Sequence, residues 1–289
     1  VQIEYVSGDG IAYAQGRFVS LQEAVIPIED RAHQFGDGIY EVVRIYGGKP
    51  HLMAEHLQRF ERSASALRLP LERTMANLQS LIEEAVSRSG FLEAQVYFQL
   101  SRGIARRDHA FPDVPSQLSL TVRPVDDDKF KSAREQGLRV ILAEDIRWKW
   151  CYIKSLNLLP NAFIKQQALD SDAHDAIFVR DGFISEATSS NVAVVKDRVI
   201  WTHPADESIL HGITRLTLLK LSDELGIPVR EERFDQAFLM SADEVFLMST
   251  LTEIAPVIQV NGTSVGLSAL LSGSVVRILQ KAYRQQIAR

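Results

Sequence analysis

Apolar residues fall at helical intervals in two early stretches of the chain. Residues 51–67 place Leu52, His56, Leu57, Phe60, Ala64 and Leu67 near one stripe, with Glu55, Arg59 and Arg62 between them. Residues 73–88 do the same with Leu78, Leu81, Ile82, Ala85 and Val86. The β-branched and aromatic runs 94–101 and 117–123 predict strands. Pro124, Val125 and the acidic run Asp126-Asp127-Asp128 predict a linker. Beyond it the pattern predicts a strand over 138–143 and a helix over 161–170. Short strands broken by turns such as Asp181-Gly182 are expected over 176–200. An apolar helix over 213–225, a strand over 243–248 and a last helix after Gly266 complete the reading.

Strands and helices interleave on both sides of the linker, so the expectation is two α/β or α+β domains. The boundaries are 1–123, a linker at 124–128, and 129–289. A length of 289 residues agrees, being more than one core usually supports. With 46% hydrophobic and 24% charged residues, the balance is that of a globular protein in water. A net charge of -5 gives no basic excess to displace counterions, which argues against a nucleic-acid partner. No run approaches the ~18 apolar residues that suggest a membrane span, and Val1 to Gly10 shows no leader-like pattern. Cys151 is the only cysteine, so no internal disulfide forms and a cytoplasmic location is expected.

Several chemistries are excluded by pattern. No phosphate-binding glycine loop, no dinucleotide fingerprint and no nucleophile elbow occurs. The seven histidines are dispersed and no metal site is expected. What remains begins with Lys154, which ends the aromatic run from Trp148 to Ile153. If that run is extended, its period of two aligns Trp148, Trp150, Tyr152 and Lys154 on one face. A poorly solvated amine loses its proton more readily and can then attack a carbonyl or accept a proton. Alone, such a lysine is more often one whose stem covers apolar surface while its head stays wet.

Other candidates are similarly modest one by one. Glu186 precedes the hydroxyl-rich Thr188-Ser189-Ser190 and Asn191, which fits either an acid beside a heterocyclic nitrogen or a solvated turn. Gly212-Ile213-Thr214 opens the apolar helix, where the amides of Ile213 and Thr214 and the Thr214 hydroxyl suit an anion or an ordinary cap. Ser249 and Thr250 end a strand and can converge on an anion, and Arg59 offers charge unless it is a surface residue.

Taken together, these segments resemble the fold-type IV pyridoxal-phosphate (PLP) transaminases, and among them the D-amino-acid aminotransferases. The resemblance runs through most of the chain: Asp30 to Val43, Glu55-His56-Leu57-Gln58-Arg59, Tyr97 to Gly103, Asp145-Ile146-Arg147-Trp148, Ile153 to Leu158, Glu186 with its hydroxyl run, Gly212 to Arg215, and Ser249-Thr250. It implies that Lys154 carries the PLP and shuttles the Cα proton. Glu186 would face the pyridine nitrogen. Arg59, Ile213, Thr214, Ser249 and Thr250 would hold the phosphate, and Tyr40 would help hold the substrate carboxylate.

The resemblance also implies a homodimer whose active site lies at the domain interface and takes residues from the partner. The loop Ala105 to His109 matches an Arg-x-His carboxylate trap, with Arg107 and His109 at the matching positions. A guanidinium binds a carboxylate in two-pronged fashion and an imidazole adds a third bond. The implied reaction moves an amino group from D-amino acids, such as D-alanine or D-glutamate, to 2-oxo acids such as 2-oxoglutarate or pyruvate. Alternatives on the same fold are an L-branched-chain transaminase, an (R)-amine transaminase or an aminodeoxychorismate lyase. From another class, a catalytically silent PLP-binding protein remains. Two departures stand out: Ala187-Thr188-Ser189 replaces the common Gly-Ser-Ser, and Asp108 sits between the two trap residues.

Overall fold

A computed structural model describes residues 10–288. The leader reading of Val1 to Asp9 therefore lies outside the described residues. The chain divides into two compact units, one of Val1–Asp126 with Ile153–Asn157, the other of Asp127–Tyr152 with Leu158–Arg289. Lys154 thus groups with the first unit, whereas the expected division set it in the second. Backbone bonds explain this: Tyr40 N donates to Lys154 O at 3.0 Å and Leu156 N to Gly38 O at 3.0 Å.

The first unit is built on an antiparallel sheet. Its elements are β1 (Ile11–Ala14), β2 (Arg17–Ser20), α1 (Arg31–Phe35), β3 (Gly38–Tyr46) and β4 (Lys49–Pro50). They continue with α2 (Met53–Ala66), α3 (Met75–Ser89), β5 (Ala94–Ser101) and β6 (Gln117–Pro124). Among the described residues the strand order is β2-β1-β6-β5-β3-β4. Period two along β3 buries Ile39, Glu41, Val43 and Ile45, while Tyr40 and Val42 are less covered. Helix α2 packs on β3 and buries Leu57, Phe60 and Ala64 of the stripe read from the sequence, with Met53 in addition, while Leu52 and Leu67 become its caps. The same stripe buries His56 and Arg59, three residues apart, on the face that also meets Glu41. Thr74 caps α3 by accepting from Asn77 N, and Gly90 ends it at φ 70°.

The second unit carries a closed sheet. Its elements are α4 (Asp127–Gln136), β7 (Leu138–Glu144), α5 (Leu159–Asp170), β8 (Asp175–Arg180), β9 (Phe183–Ala187), β10 (Asn191–Lys196) and β11 (Val199–Thr202). After these come α6 (Ile213–Glu224), β12 (Val229–Glu231), α7 (Gln236–Met240), β13 (Glu244–Ser249), β14 (Glu253–Val260), β15 (Thr263–Ser264) and α8 (Val275–Ile287). The path β10-β13-β14-β7-β8-β9 returns to β10 through one pairing, Asn191 with Glu186. Strand β11 takes the rest of that edge of β10. Val140, Ile177, Val194, Leu247 and Val257 belong to one core of this unit. Helices α6 and α8 contribute Leu218, Leu221, Val276 and Leu279 to a second, and α5 gives Ile164 and Ala168 to a third.

Two sequence expectations change here. The acidic run is no bare linker, because Asp127 and Asp128 open α4, where carboxylates suit the positive helix end. The aromatic run 146–153 is not a strand but a succession of bends and turns. Trp148 and Trp150 stand exposed, ring edge to ring face at 5.7 Å, so they do not share a face with Lys154. Cys151 N instead donates to Glu207 O at 2.9 Å, tying the segment to a distant loop.

Candidate active site

In the first unit, Lys154 is half-buried and its Nζ lies 4.1 Å from the centre of the Tyr40 ring. Among the described residues the amine makes no hydrogen bond or ion pair; beside this ring it faces the His56 imidazole. An amine without a carboxylate partner is free to react, which suits a nucleophile better than a structural ion pair. Its backbone is fixed, with Lys154 N donating to Ser63 Oγ of α2 at 3.2 Å and Ile39 bridging Ser155. Tyr40 in turn stacks on Tyr97 at 5.6 Å, a diagonal pair across β3 and β5. Burial pushes the Tyr97 phenol up to about 12.

Arg59 is no surface arginine. It is buried, and Glu41 receives its Nε at 2.7 Å and Nη2 at 2.9 Å. His56 Nδ1 lies 2.9 Å from Glu41 Oε2. Burial works to raise Glu41, but the adjacent guanidinium and imidazole outweigh it and hold the carboxyl far below its usual range. His56 goes down, first through burial and then through the charges of Arg59 and Lys154, against the pull of Glu41. The sequence reading quoted Glu41 and His56 as matching residues without assigning them this work.

Arg107 and His109 stand exposed on the segment after β5. The Arg107 guanidinium lies 4.9 Å over the Phe35 ring, and the His109 ring centre is 5.5 Å from the same ring. Asp108 between them accepts from Ala110 N through its carboxylate at 3.0 Å, so it caps its own turn.

In the second unit, Glu186 sits at the closure of the sheet and is buried. It accepts from Arg147 Nη1 at 2.5 Å, from Asn191 Nδ2 at 3.0 Å and from Leu210 N at 3.0 Å. Arg147 also grips Asp145 through Nε and Nη2, both at 2.8 Å. Arg180 lies 3.0 Å from Asp145, and Ser185 Oγ donates to it at 3.1 Å. Burial pushes Glu186 up against the pull of Arg147; burial pulls Arg147 down, yet Glu186 and Asp145 together push it up. The ionised form of Glu186 is the one we stand behind. All three recorded partners are donors, and a protonated carboxyl would leave one of them unanswered. For Asp145, burial works upward, but Arg147 and Arg180 hold the carboxyl low. Arg147 and Asp145 lie in a segment that carries the resemblance, but their link to Glu186 is not visible from spacing along the chain.

Gly212, the N-cap of α6, makes no side-chain cap bond. Its backbone angle, φ -65°, demands no glycine; space does, because a Cβ there would overlap Asn191 Oδ1. Asn191 is thereby free to join Glu186 to the Leu210 carbonyl, which it reaches at 2.9 Å. The amides of Ile213 and Thr214 begin α6 at the end that favours anions. The Thr214 hydroxyl, at the same end, has a partner of its own. It bonds the Tyr283 hydroxyl of α8, which burial pushes well above its ordinary range. Ser249 closes β13 and its Oγ accepts from Thr252 N at 3.2 Å; Thr250 follows it, half-buried. The Thr188 hydroxyl donates to Asp175 at 2.5 Å and ties this loop to β8, a bond that the serine of the common pattern could also make.

Taken unit by unit, the donors fit parts of a phosphorylated pyridine aldehyde: the Lys154 amine in the first, and in the second a carboxylate for a ring nitrogen and an uncapped helix start for a phosphate. Among the described residues no group of His, Cys, Asp and Glu could hold a metal ion, and no helix is long and apolar enough to cross a membrane.

Comparison with known proteins points the same way. The family model for amino-transferase class IV matches residues 38–260. The D-alanine aminotransferase of Staphylococcus epidermidis is 38% identical over 95% of this chain and 97% of its own length. That of Bacillus licheniformis is 39% identical over 94% of this chain and 95% of its own. Among solved structures, the branched-chain amino acid aminotransferase of Escherichia coli superposes with a TM-score of 0.88 at 27% identity, covering 95% of this chain and 93% of that one. A T.th. branched-chain amino acid aminotransferase with pyridoxamine 5'-phosphate gives 0.88 at 25% identity, covering 96% and 93%.

Proposed function

Because the chain belongs to the class IV aminotransferases, we propose that it moves the amino group of D-amino acids, such as D-alanine or D-glutamate, to 2-oxo acids such as 2-oxoglutarate or pyruvate. Its cofactor is pyridoxal phosphate. The choice of donor rests on one observation above others: the likeness to D-alanine aminotransferases extends over nearly the whole chain. The exposed Arg107 and His109 on their shared ring support it.

Bound pyridoxal phosphate supplies a carbonyl for amine exchange and a ring that draws electrons from the donor Cα. Lys154 would hold the cofactor between turnovers, and its Nζ, once free, would take the proton from the donor Cα and give it up again on the same side. Glu186, kept ionised by Arg147, Asn191 and the Leu210 amide, fixes a proton on the ring nitrogen. Arg59, the Ile213 and Thr214 amides, Ser249 and Thr250 bind the phosphate. Arg107, His109 and Tyr40 hold the donor α-carboxylate, which decides the enantiomer whose Cα proton meets the amine. Water would release the donor as a 2-oxo acid while its amino group is retained, and a second 2-oxo acid would take that group, giving up its carbonyl oxygen as water. We further propose a homodimer in which Arg107 and His109 serve the partner subunit, working in the cytoplasm.

The test is a chiral assay of D-alanine, L-leucine and (R)-1-phenylethylamine, each with 2-oxoglutarate. D-alanine is expected to turn over fastest. A preference for L-leucine or for the amine would transfer the chain to those specificities, and no turnover with any donor would leave a silent cofactor-binding protein.

A further inference from the structure

The segment that carries Arg107 and His109 is held from outside itself. Ala105 N donates to Glu29 O at 3.2 Å, Arg31 N donates to Gly103 O at 3.0 Å, and Asp30 bridges Ile104. Arg31, buried, extends Nη1 to the Asp108 carbonyl at 2.5 Å. Its Nε is anchored on Asp37 at 2.8 Å, and Asp37 is itself gripped by Arg102 Nε at 2.8 Å. Phe35, at the end of α1, completes the support. Arg31 and Arg107 place their guanidinium carbons 4.7 and 4.9 Å from its ring centre, and the His109 ring lies at 5.5 Å, tilted by 50°.

One ring therefore touches both residues that flank Asp108, while Arg31 holds Asp108 by its backbone. A cation over an aromatic face and an imidazole against it are each mildly attractive. Long exposed side chains otherwise lose rotamer freedom when they bind, and that loss subtracts from affinity.

We infer that Phe35, backed by Arg31, is a positioning residue that presets Arg107 and His109 for the donor α-carboxylate. This rests on the reading of Arg107 and His109 as the carboxylate trap. Ordering made in advance stabilises bound donor and transition state alike, so its loss appears in KM and leaves kcat nearly unchanged.

The test uses the holoenzyme with D-alanine and 2-oxoglutarate. Phe35→Leu is expected to raise the KM for D-alanine about three- to tenfold, with kcat within about twofold. Phe35→Tyr, which keeps the π face, retains the original KM. In an Arg107→Ala/His109→Ala background Phe35→Leu adds nothing further, the mark of residues acting through one another. A readout without turnover is the imidazole proton resonance of His109, which shifts with Phe35→Leu as the ring current disappears. If the leucine variant fails to fold, Phe35→Met is read in the same way. An unchanged KM in Phe35→Leu, or an equal loss with and without the trap residues, overturns the inference. If Arg107→Ala/His109→Ala itself leaves the KM for D-alanine unchanged, the trap reading fails and the inference falls with it. If that pair raises KM and Phe35→Leu does not, the inference alone is wrong.

Discussion

Glu41→Gln isolates the electrostatics beneath the proposed phosphate arginine. The side chain keeps its volume, and its remaining carbonyl oxygen can still accept from one Arg59 nitrogen. What disappears is the negative charge that faces Arg59, in a site where Glu41 is fully buried and Arg59 nearly so. A new amide also points donors at Arg59 or His56, both of which now approach Glu41 at 2.7 to 2.9 Å. Removing one partner of a buried pair costs about 3–5 kcal/mol, and the retained acceptor puts this case near the lower end. At about 2–4 °C per kcal/mol, the thermal midpoint of the apoenzyme drops by about 6–12 °C. Differential scanning calorimetry measures it, and a midpoint within about 2 °C of the wild type would refute the reasoning. The pH dependence supplies a sign check. The Glu41 carboxyl is held far below its usual value, so its contribution is present above about pH 4.3 and lost as pH falls further. The gap between wild type and Glu41→Gln therefore narrows on acidification. The cofactor gives a second readout: the variant binds PLP more weakly but unphosphorylated pyridoxal as before.

Further perturbations follow from the same geometry. Arg107→Ala raises the KM for D-alanine by about tenfold or more, the loss of a charge-assisted pair, with steady-state kinetics as the check; an unchanged KM would mean that the trap is misassigned. Arg147→Gln leaves Glu186 and Asp145 buried without their shared cation, so kcat falls by about 10² and PLP absorbance titrates at altered pH. A spectrum with wild-type pH dependence would count against the Glu186 role. Gly212→Ala drives a methyl into Asn191 Oδ1 and costs about 1–3 kcal/mol, seen as a lower thermal midpoint and weaker PLP binding. Burial lowers His51 to about 4 and also lowers His56. Stability is therefore complete above about pH 6.5 and declines as pH falls toward 4, a trend that Tm measured across pH checks directly.

Much of this was legible along the chain because periodicity reports burial. Residues 51–67 and 73–88 became α2 and α3, and 94–101 became β5, since their apolar stripes have nowhere else to go. The aromatic run before Lys154 misled for a physical reason: β propensity needs an edge to pair with, and the segment instead bonds to the Glu207 loop and to β3. The acidic run read as linker became a helix start, a use that composition cannot separate from a solvated loop. At the site, Lys154, Glu186 and Arg59 were named from resemblance. Their partners were not, because Glu41 and Arg59 lie 18 residues apart and Arg147 and Glu186 lie 39 apart. Pairings at such separations are set by strand register and helix phase. Thr214 shows the same limit: its bond to Tyr283 comes from the packing of α6 on α8, 69 residues apart along the chain.

The most direct test joins the proposed base to the proposed enantiomer. Holoenzyme is incubated with D-alanine or L-alanine in deuterated water without an acceptor, and loss of the Cα proton signal is followed by NMR. Exchange is expected with D-alanine in the wild type, far slower exchange with L-alanine, and none in Lys154→Ala. Exchange of D-alanine that survives in Lys154→Ala, or faster exchange of L-alanine in the wild type, would contradict the assignment of Lys154 as the base of a D-amino-acid transaminase.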